Sequence, residues 1–234
     1  MRVLLKTILA TAALACVAMP ASAGLVVLDF ENINATHPSR DTPAIGAFYN
    51  GGTSSAGTSG VNYGVSFSSN TLAMCLNTLD ATCLSASHGG LGDPDSQLGA
   101  MYFSGPNPTT ATMNVFDGFV TSLSWNYVNK IAGADVTIFD GLNGTGNILG
   151  SVTLDVTSYA CAAEYHSSYC PFVFSEIAFS GEAKSVVFSG YPGFIVFDDI
   201  AFHTAEAAVP EPLTLSLFGA GVLGMGALGR RKRK

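Results

Sequence analysis

The 234-residue sequence has few charged side chains, and basic residues are especially scarce in its central part. Charged residues make up 12% of the chain, and positions 24–209 contain only Arg40, Lys130 and Lys184 as basic residues. Sixteen acidic residues against these three give the central part a net charge of −13. Such a surface excludes nucleic acid as a general partner. A hydrophobic content of 48% also excludes an intrinsically disordered chain.

Recognisable catalytic motifs are also absent from the sequence. It contains no Gly-x-Ser-x-Gly, no His-Glu-x-x-His and no phosphate-binding Gly-x-x-x-x-Gly-Lys pattern. The four histidines lie far apart in the sequence, at positions 37, 88, 166 and 203. We therefore expect a protein that is not an enzyme, although a catalytic triad assembled from distant positions stays open.

Residues 1–23 have the three parts of a secretory signal peptide. Two basic residues open the segment, an apolar run follows, and Ala21-Ser22-Ala23 forms a small-residue cleavage site. The pattern predicts export through the Sec translocon and a mature chain that begins at Gly24. Cys16 leaves a lipoprotein signal as the alternative.

Residues 213–234 have the composition of a short transmembrane helix with a basic tail. Positions 213–228 are uncharged, and five Arg and Lys residues occupy positions 230–234. Sixteen helical residues rise only about 24 Å against a hydrocarbon core of about 30 Å, which predicts a weak anchor. The basic tail should stay in the cytoplasm, with the preceding domain in the periplasm. A buried core helix is the alternative, but such a helix carries a polar stripe that this segment lacks.

The motif Pro210, Glu211 and Pro212 precedes this segment, so that a Pro-Glu-Pro motif, a Gly-rich hydrophobic span and a basic cluster follow in order. The arrangement resembles the PEP-CTERM sorting signal of Gram-negative, exopolysaccharide-producing bacteria. The resemblance implies that a membrane-embedded exosortase recognises the tail and cleaves near the motif. The protein would then reach the cell surface or the extracellular matrix. The resemblance does not indicate what the preceding domain does.

Alternating apolar and polar residues dominate positions 24–203, which predicts β-strands. No helical stripe is visible there, and Gly, Pro and Asn mark the turns. We predict an all-β domain over 24–203, a two-layer antiparallel β-sandwich of jelly-roll type, followed by a linker over 204–212. The predicted strands lie near residues 25–30, 61–67, 99–103, 111–116, 119–127, 134–139, 148–155, 172–179, 184–189 and 194–203.

The four cysteines of the exported part form two locally spaced pairs. Cys75 and Cys83 are separated by seven residues, and Cys161 and Cys170 by eight. Because exported proteins meet an oxidising environment, local disulfides are the simplest of three possible connectivities. Metal binding by thiolates is the alternative, but no Cys-x-x-Cys motif occurs.

Two acidic segments lie near the ends of the predicted domain. Asp29 and Glu31 lie within residues 28–32, near the start of the mature chain, and Asp198 and Asp199 lie in the last predicted strand. The two segments resemble a pair in jelly-roll carbohydrate-binding modules, where first and last strands often lie together and hold a structural calcium. The resemblance implies a calcium site from Asp29 or Glu31 with Asp198 or Asp199, since calcium takes six to eight oxygen ligands. The alternative is rim carboxylates that accept backbone N–H groups.

Two acidic loops are weaker calcium candidates, at residues 89–95 and 140–146. Neither has the downstream Glu that an EF-hand requires. Asp-Gly and Asn-Gly pairs are common in hairpin turns, so we expect a turn at 140–146.

A sugar-binding surface would need exposed aromatic rings beside hydrogen-bonding side chains. Trp125 falls on the apolar face of its strand and is expected in the core. Tyr159, Tyr165 and Tyr169 lie in or beside the segment between the last two cysteines, which makes that loop the predicted contact surface. The alternative contact residues are Tyr49, Tyr63, Tyr102 and Tyr191. We expect a structural or adhesive protein of an exopolysaccharide biofilm. A carbohydrate-binding module for the matrix polysaccharide, with a structural calcium, is the alternative.

Overall fold

The computed structural model describes residues 24–83, 96–106, 109–158 and 171–205. The strands are β1 (Leu25–Leu28), β2 (Val65–Phe67), β3 (Thr71–Cys75), β4 (Gly99–Phe103), β5 (Thr109–Asn129), β6 (Ala134–Phe139), β7 (Ile148–Leu154), β8 (Val173–Gly190) and β9 (Ile195–Thr204). One 3-10 turn, Leu142–Gly144, lies between β6 and β7. None of these ranges contains a helix long and apolar enough to cross a membrane. The predicted signal peptide, the Pro-Glu-Pro motif and the predicted membrane span lie outside the described residues.

The strands form one antiparallel network in the order β3-β4-β9-β5-β8-β6-β7, with β1 on β9 and β2 on β5. The first part of β5 pairs with β2 and β8, whereas its second part lies between β8 and β9. The sheet folds over itself, which brings Phe188 of β8 against Phe197 of β9 with ring centroids 4.8 Å apart. The predicted all-β antiparallel sandwich is therefore confirmed.

Alternation of side chains explains the core. In β6, Ala134, Val136 and Ile138 are buried while the residues between them are partly exposed. Trp125 of β5 is completely buried in the main core cluster, as predicted. Every second residue of a strand faces the same side, so the two layers bury their apolar faces against each other.

Two pairs of predicted strands are single long strands in the structure. Positions 111–116 and 119–127 both belong to β5, and positions 172–179 and 184–189 both belong to β8. The pairing of β5 shifts register between Asn114 and Phe119, and Gly118 has a φ of +79° there. A β-bulge bends a strand without ending it. Because a bulge interrupts the alternation of apolar and polar residues, the sequence predicted a strand boundary at such a position.

Strand β3 is missing from the predicted set. Four of its five residues are fully buried, so it shows no alternation. The outer faces of β3, β4 and β9 carry a second apolar cluster, which covers β3 on the side away from the main core. A strand covered on both faces loses the period-two signal.

The segment 140–146 is a hairpin connection, as predicted, because it joins the antiparallel strands β6 and β7. Asp140 Oδ1 accepts the backbone N–H of Asn147 at 2.7 Å, and Asp140 Oδ2 accepts its side-chain amide at 2.7 Å. These hydrogen bonds, led by that of the Asn147 side chain, lower the pKa of Asp140 below its ordinary value. The other candidate loop, 89–95, lies outside the described residues.

Candidate functional site

The first and last strands are direct neighbours, so the two predicted acidic segments come together. Strand β1 pairs with β9 in antiparallel register, with Leu28 opposite Ile200. Asp29 and Glu31 immediately follow β1, and Asp198 and Asp199 lie in β9. The neighbouring strands that the resemblance implied are thus present.

Asp29 forms a hydrogen-bonded pair with the buried Tyr49. The Tyr49 hydroxyl donates to Asp29 Oδ1 at 3.3 Å and accepts the backbone N–H of Phe30 at 2.9 Å. Burial raises the pKa of Tyr49 well above its ordinary value, and the negative charges of Asp29 and Asp198 act in the same direction. Tyr49 therefore stays protonated and keeps the Asp29 carboxylate in place.

Glu31 connects the segment after β1 to the start of β4 through hydrogen bonds. Its Oε1 atom accepts the backbone N–H of Leu98 at 2.7 Å and that of Gly99 at 3.3 Å. The hydroxyl of Ser96 lies 2.9 Å from the same oxygen. A Cβ atom at Gly99 would lie 2.3 Å from the carbonyl oxygen of Phe30, so only glycine fits this close approach. The arrangement matches the alternative in which rim carboxylates accept backbone N–H groups.

Asp198 and Asp199 occupy different environments, as expected for adjacent strand residues. Asp198 is completely buried, whereas Asp199 is partly exposed. Asp198 Oδ1 accepts the backbone N–H of Asp199 at 2.9 Å, and Asp199 adopts a left-handed φ of 46°. No three carboxylates of this group bring oxygens within 4.8 Å of one another among the described residues. Calcium binding by Asp29, Glu31, Asp198 and Asp199 stays a prediction.

One of the two predicted disulfides lies in the described part of the chain and is present. Cys75 at the end of β3 is bonded to Cys83, with the two Cα atoms 5.8 Å apart. Cys161 and Cys170 lie outside the described residues, and so do the predicted contact residues Tyr159, Tyr165 and Tyr169.

A different aromatic surface lines a wide, open cleft of about 690 Å³. Two rings line it: Phe116, which is 44% exposed, and Tyr63, which is partly exposed. The remaining lining is mostly polar and consists of Val26, Asn50, Asn62, Gly64, Asp117 and Thr204. We call this surface the aromatic cleft.

Local backbone contacts hold the aromatic cleft in shape. The backbone N–H of Phe116 donates to the carbonyl of Gly64 at 3.0 Å, and that of Tyr63 donates to the carbonyl of Tyr49 at 2.8 Å. The Tyr63 ring stacks on Tyr49 with centroids 6.2 Å apart. Gly64 has a φ of +67°, and a Cβ atom there would lie 3.3 Å from Asp117 Oδ2. The segments that carry the two rings are therefore joined by backbone hydrogen bonds.

The sequence contained a signal for part of this cleft. Residues 111, 113 and 115 alternate as the buried face of β5, which places Phe116 on the outward face. An aromatic residue at an outward position of an amphipathic strand is a candidate contact residue. Tyr63 was one of the alternative contact tyrosines, although the alternation of its segment placed it in phase with the buried Val65 and Phe67. It lines the cleft because β2 begins only at Val65.

Comparisons with known proteins identify a sorting motif at the C-terminal end of the chain. Residues 208–234 match the model of the PEP-CTERM protein-sorting motif. The chain therefore carries the C-terminal exosortase-recognition signal of an exported protein that passes through the membrane to the cell surface. No curated protein matches the chain.

Several solved carbohydrate-binding modules are similar to the β-sandwich. CsCBM6-3 from Clostridium stercorarium, solved with cellobiose, is 16% identical, with 60% of this chain and 87% of that chain covered and a TM-score of 0.35. CBM6cm-2 from Cellvibrio mixtus lichenase 5A, solved with cellotriose, is 9% identical, with 48% and 82% covered and a TM-score of 0.30. CBM29_1 from Piromyces equi is 9% identical, with 65% and 98% covered and a TM-score of 0.31.

Proposed function

We propose that the protein is an exported, non-enzymatic matrix protein that adheres to neutral polysaccharide through the aromatic cleft. The supporting observation is the cleft itself, which Tyr63 and Phe116 line together with the polar residues Asn50, Asn62 and Thr204. Aromatic rings pack against the apolar faces of sugars, and amide and hydroxyl groups satisfy sugar hydroxyls.

The charge of the exported part favours a neutral ligand. Its net charge of −13 repels acidic polymers, and Asp117 in the cleft adds a local negative charge. Lys184 lies beside the cleft, where its Nζ donates to the carbonyl of Phe116 at 3.4 Å, but its charge is balanced by an ion pair with Glu182. Neutral sugars bring no charge that would need a partner.

Sorting forms the second part of the proposal. Exosortase would cleave near Pro210, Glu211 and Pro212, after export through the Sec translocon and transient anchoring in the inner membrane. The protein would then act in an exopolysaccharide biofilm. Deleting the exosortase should retain the uncleaved chain in the membrane fraction. Extracellular protein of unchanged mass in that strain would contradict this part.

Polysaccharide binding is tested with the full chain on arrays of neutral and acidic glycans and on polysaccharide from the producing cells. We expect binding to at least one neutral polysaccharide. Substituting Tyr63→Ala or Phe116→Ala should weaken it about tenfold, equivalent to ~1.4 kcal/mol for one stacked ring. Tyr191→Ala is the matched control, because Tyr191 is 41% exposed but does not line the cleft. Equal loss in the control, or no binding to any polysaccharide, would contradict the proposal.

A further inference from the structure

A histidine lies directly against the disulfide. His37 Nε2 is 3.6 Å from Cys83 Sγ and 2.9 Å from the carbonyl oxygen of Leu76. The same carbonyl oxygen is 3.1 Å from Cys83 Sγ. Among the described residues, His37, Cys75 and Cys83 form the single group of three potential metal ligands whose donor atoms all lie within 4.8 Å.

These separations suit a tetrahedral zinc ion. Zinc binds sulfur at about 2.3 Å and imidazole nitrogen at about 2.0–2.1 Å, so neighbouring sulfur and nitrogen ligands stand about 3.6 Å apart. The distance from His37 Nε2 to Cys83 Sγ has this value. The two sulfur atoms would have to separate to about 3.8 Å, which the intact disulfide prevents and its reduction allows.

We propose that the dithiol form of the protein binds Zn²⁺ through the thiolates of Cys75 and Cys83 and through His37 Nε2. A small dithiol reductant supplies two electrons and two protons, which yields two protein thiols and the disulfide of the reductant. Zinc then displaces the two thiol protons into water. His37 gives up its contact with the Leu76 carbonyl and carries its proton on Nδ1.

The surroundings of the three side chains support such a site. The backbone N–H of Ser39 points to Cys75 Sγ at 3.3 Å, and N–H donors of this kind stabilise thiolates. His37 lines a cavity of about 120 Å³ that also contains Asn34. Asn34 Oδ1 is buried and has no hydrogen-bond partner among the described residues, so the cavity that His37 lines also contains an unpaired acceptor.

The redox state of one disulfide would therefore decide whether the protein is a zinc-binding protein. The oxidised form offers no thiolate, and a disulfide is a poor ligand for zinc. The protein could thus hold zinc before its disulfide forms or after a reductant reaches it. This inference does not depend on polysaccharide binding.

The experiment uses the full chain with Cys16→Ser, Cys161→Ser and Cys170→Ser, which leaves Cys75 and Cys83 as its only cysteines. The protein is reduced with a phosphine that does not bind zinc, and Zn²⁺ and Co²⁺ are titrated separately. We expect one equivalent of metal to bind, thiolate-to-cobalt charge-transfer absorption to appear, and zinc to raise the unfolding temperature. The oxidised protein should show none of these effects.

The histidine is tested with His37→Ala, and His203→Ala is the matched control. Loss of one of three side-chain ligands should weaken zinc binding on the order of 100-fold, whereas the control should bind as the parent does. Equal affinity in His37→Ala would overturn the three-ligand site. If the reduced protein unfolds, failure of saturating zinc to restore the folded state would overturn the proposal as well.

Discussion

Glu31 allows the two interpretations of the acidic segments to be separated by experiment. Its Oε1 atom accepts the backbone N–H groups of Leu98 and Gly99 and lies 2.9 Å from the Ser96 hydroxyl. That hydroxyl is also 2.8 Å from the carbonyl of Asp29, so it keeps an acceptor when Glu31 is replaced. The cost of Glu31→Ala therefore comes from the two N–H groups.

A hydrogen bond to a charged group contributes about 1.5–3 kcal/mol, and neighbouring bonds are not additive. Because the bond from Leu98 is exposed and water can replace the lost acceptor there, we expect Glu31→Ala to lower the free energy of unfolding by about 2 kcal/mol. Glu31→Gln keeps an acceptor oxygen but loses its charge, so it should cost about half as much. Glu176→Ala, an exposed carboxylate on β8, should change stability by less than about 0.5 kcal/mol.

The assay is urea unfolding followed by the fluorescence of Trp125, the single tryptophan of the chain. It is run once with a chelator and once with excess calcium. If Glu31 acts only by capping β4, both conditions give the same values for every variant. If it is a calcium ligand, the wild-type protein is stabilised by calcium and Glu31→Gln removes that effect. Stability of Glu31→Ala within about 0.5 kcal/mol of wild type would refute the hydrogen-bond reasoning.

Three further predictions concern the core and the disulfide. The Tyr49 hydroxyl should stay protonated in the folded state, whereas in the unfolded chain it titrates near its ordinary pKa of 10.0. The free energy of unfolding should therefore fall by about 1.4 kcal/mol per pH unit above pH 10. Tyr49→Phe should remove this slope. Replacing Cys75 and Cys83 by Ser should cost about 2.5 kcal/mol in chemical unfolding, because the bridge closes a loop with a sequence separation of 8. Trp125→Phe should cost less than about 1 kcal/mol in urea unfolding followed by far-ultraviolet circular dichroism, because it removes a buried indole N–H that has no hydrogen-bond partner among the described residues and so offsets the lost packing.

A specific outcome would contradict each of these three predictions. An equal alkaline slope in Tyr49→Phe would assign the pH dependence to other groups. A double Ser variant as stable as the parent would show that the unfolded chain gains no freedom from losing the bridge. A cost of 3 kcal/mol or more for Trp125→Phe would mean that the indole N–H is satisfied, for instance by an ordered water.

The fold could be predicted from the sequence wherever a strand has one face in the core and one in water. That condition holds for β6, whose buried residues alternate, and it fails for β3, which is covered on both faces. The bulge at Gly118 could not be predicted either, because its position depends on where β5 passes from β2 to β9. Patterns of side chains predict which face is apolar, whereas bends depend on partners that are distant in sequence.

The candidate site, like the fold, could be predicted from the sequence only in part. The juxtaposition of Asp29 with Asp198 was predictable through a resemblance, and the pairing of β1 with β9 produces it. The aromatic cleft was not predicted, because Tyr63 and Phe116 come together only through the pairing of β2 with β5. Nothing in the local sequence of either residue indicates the other.

The position of Thr204 has a mechanical consequence. This residue ends β9, exchanges hydrogen bonds with Gly24 at 2.9 and 3.0 Å, and also lines the aromatic cleft. A polysaccharide held in the cleft would thus pull on the chain close to the point where it leaves the sandwich. Thr204 is also the register partner of Phe119 in β5, so tension between the ligand and the residues after Ala205 would load the pairing of β9 with both β1 and β5.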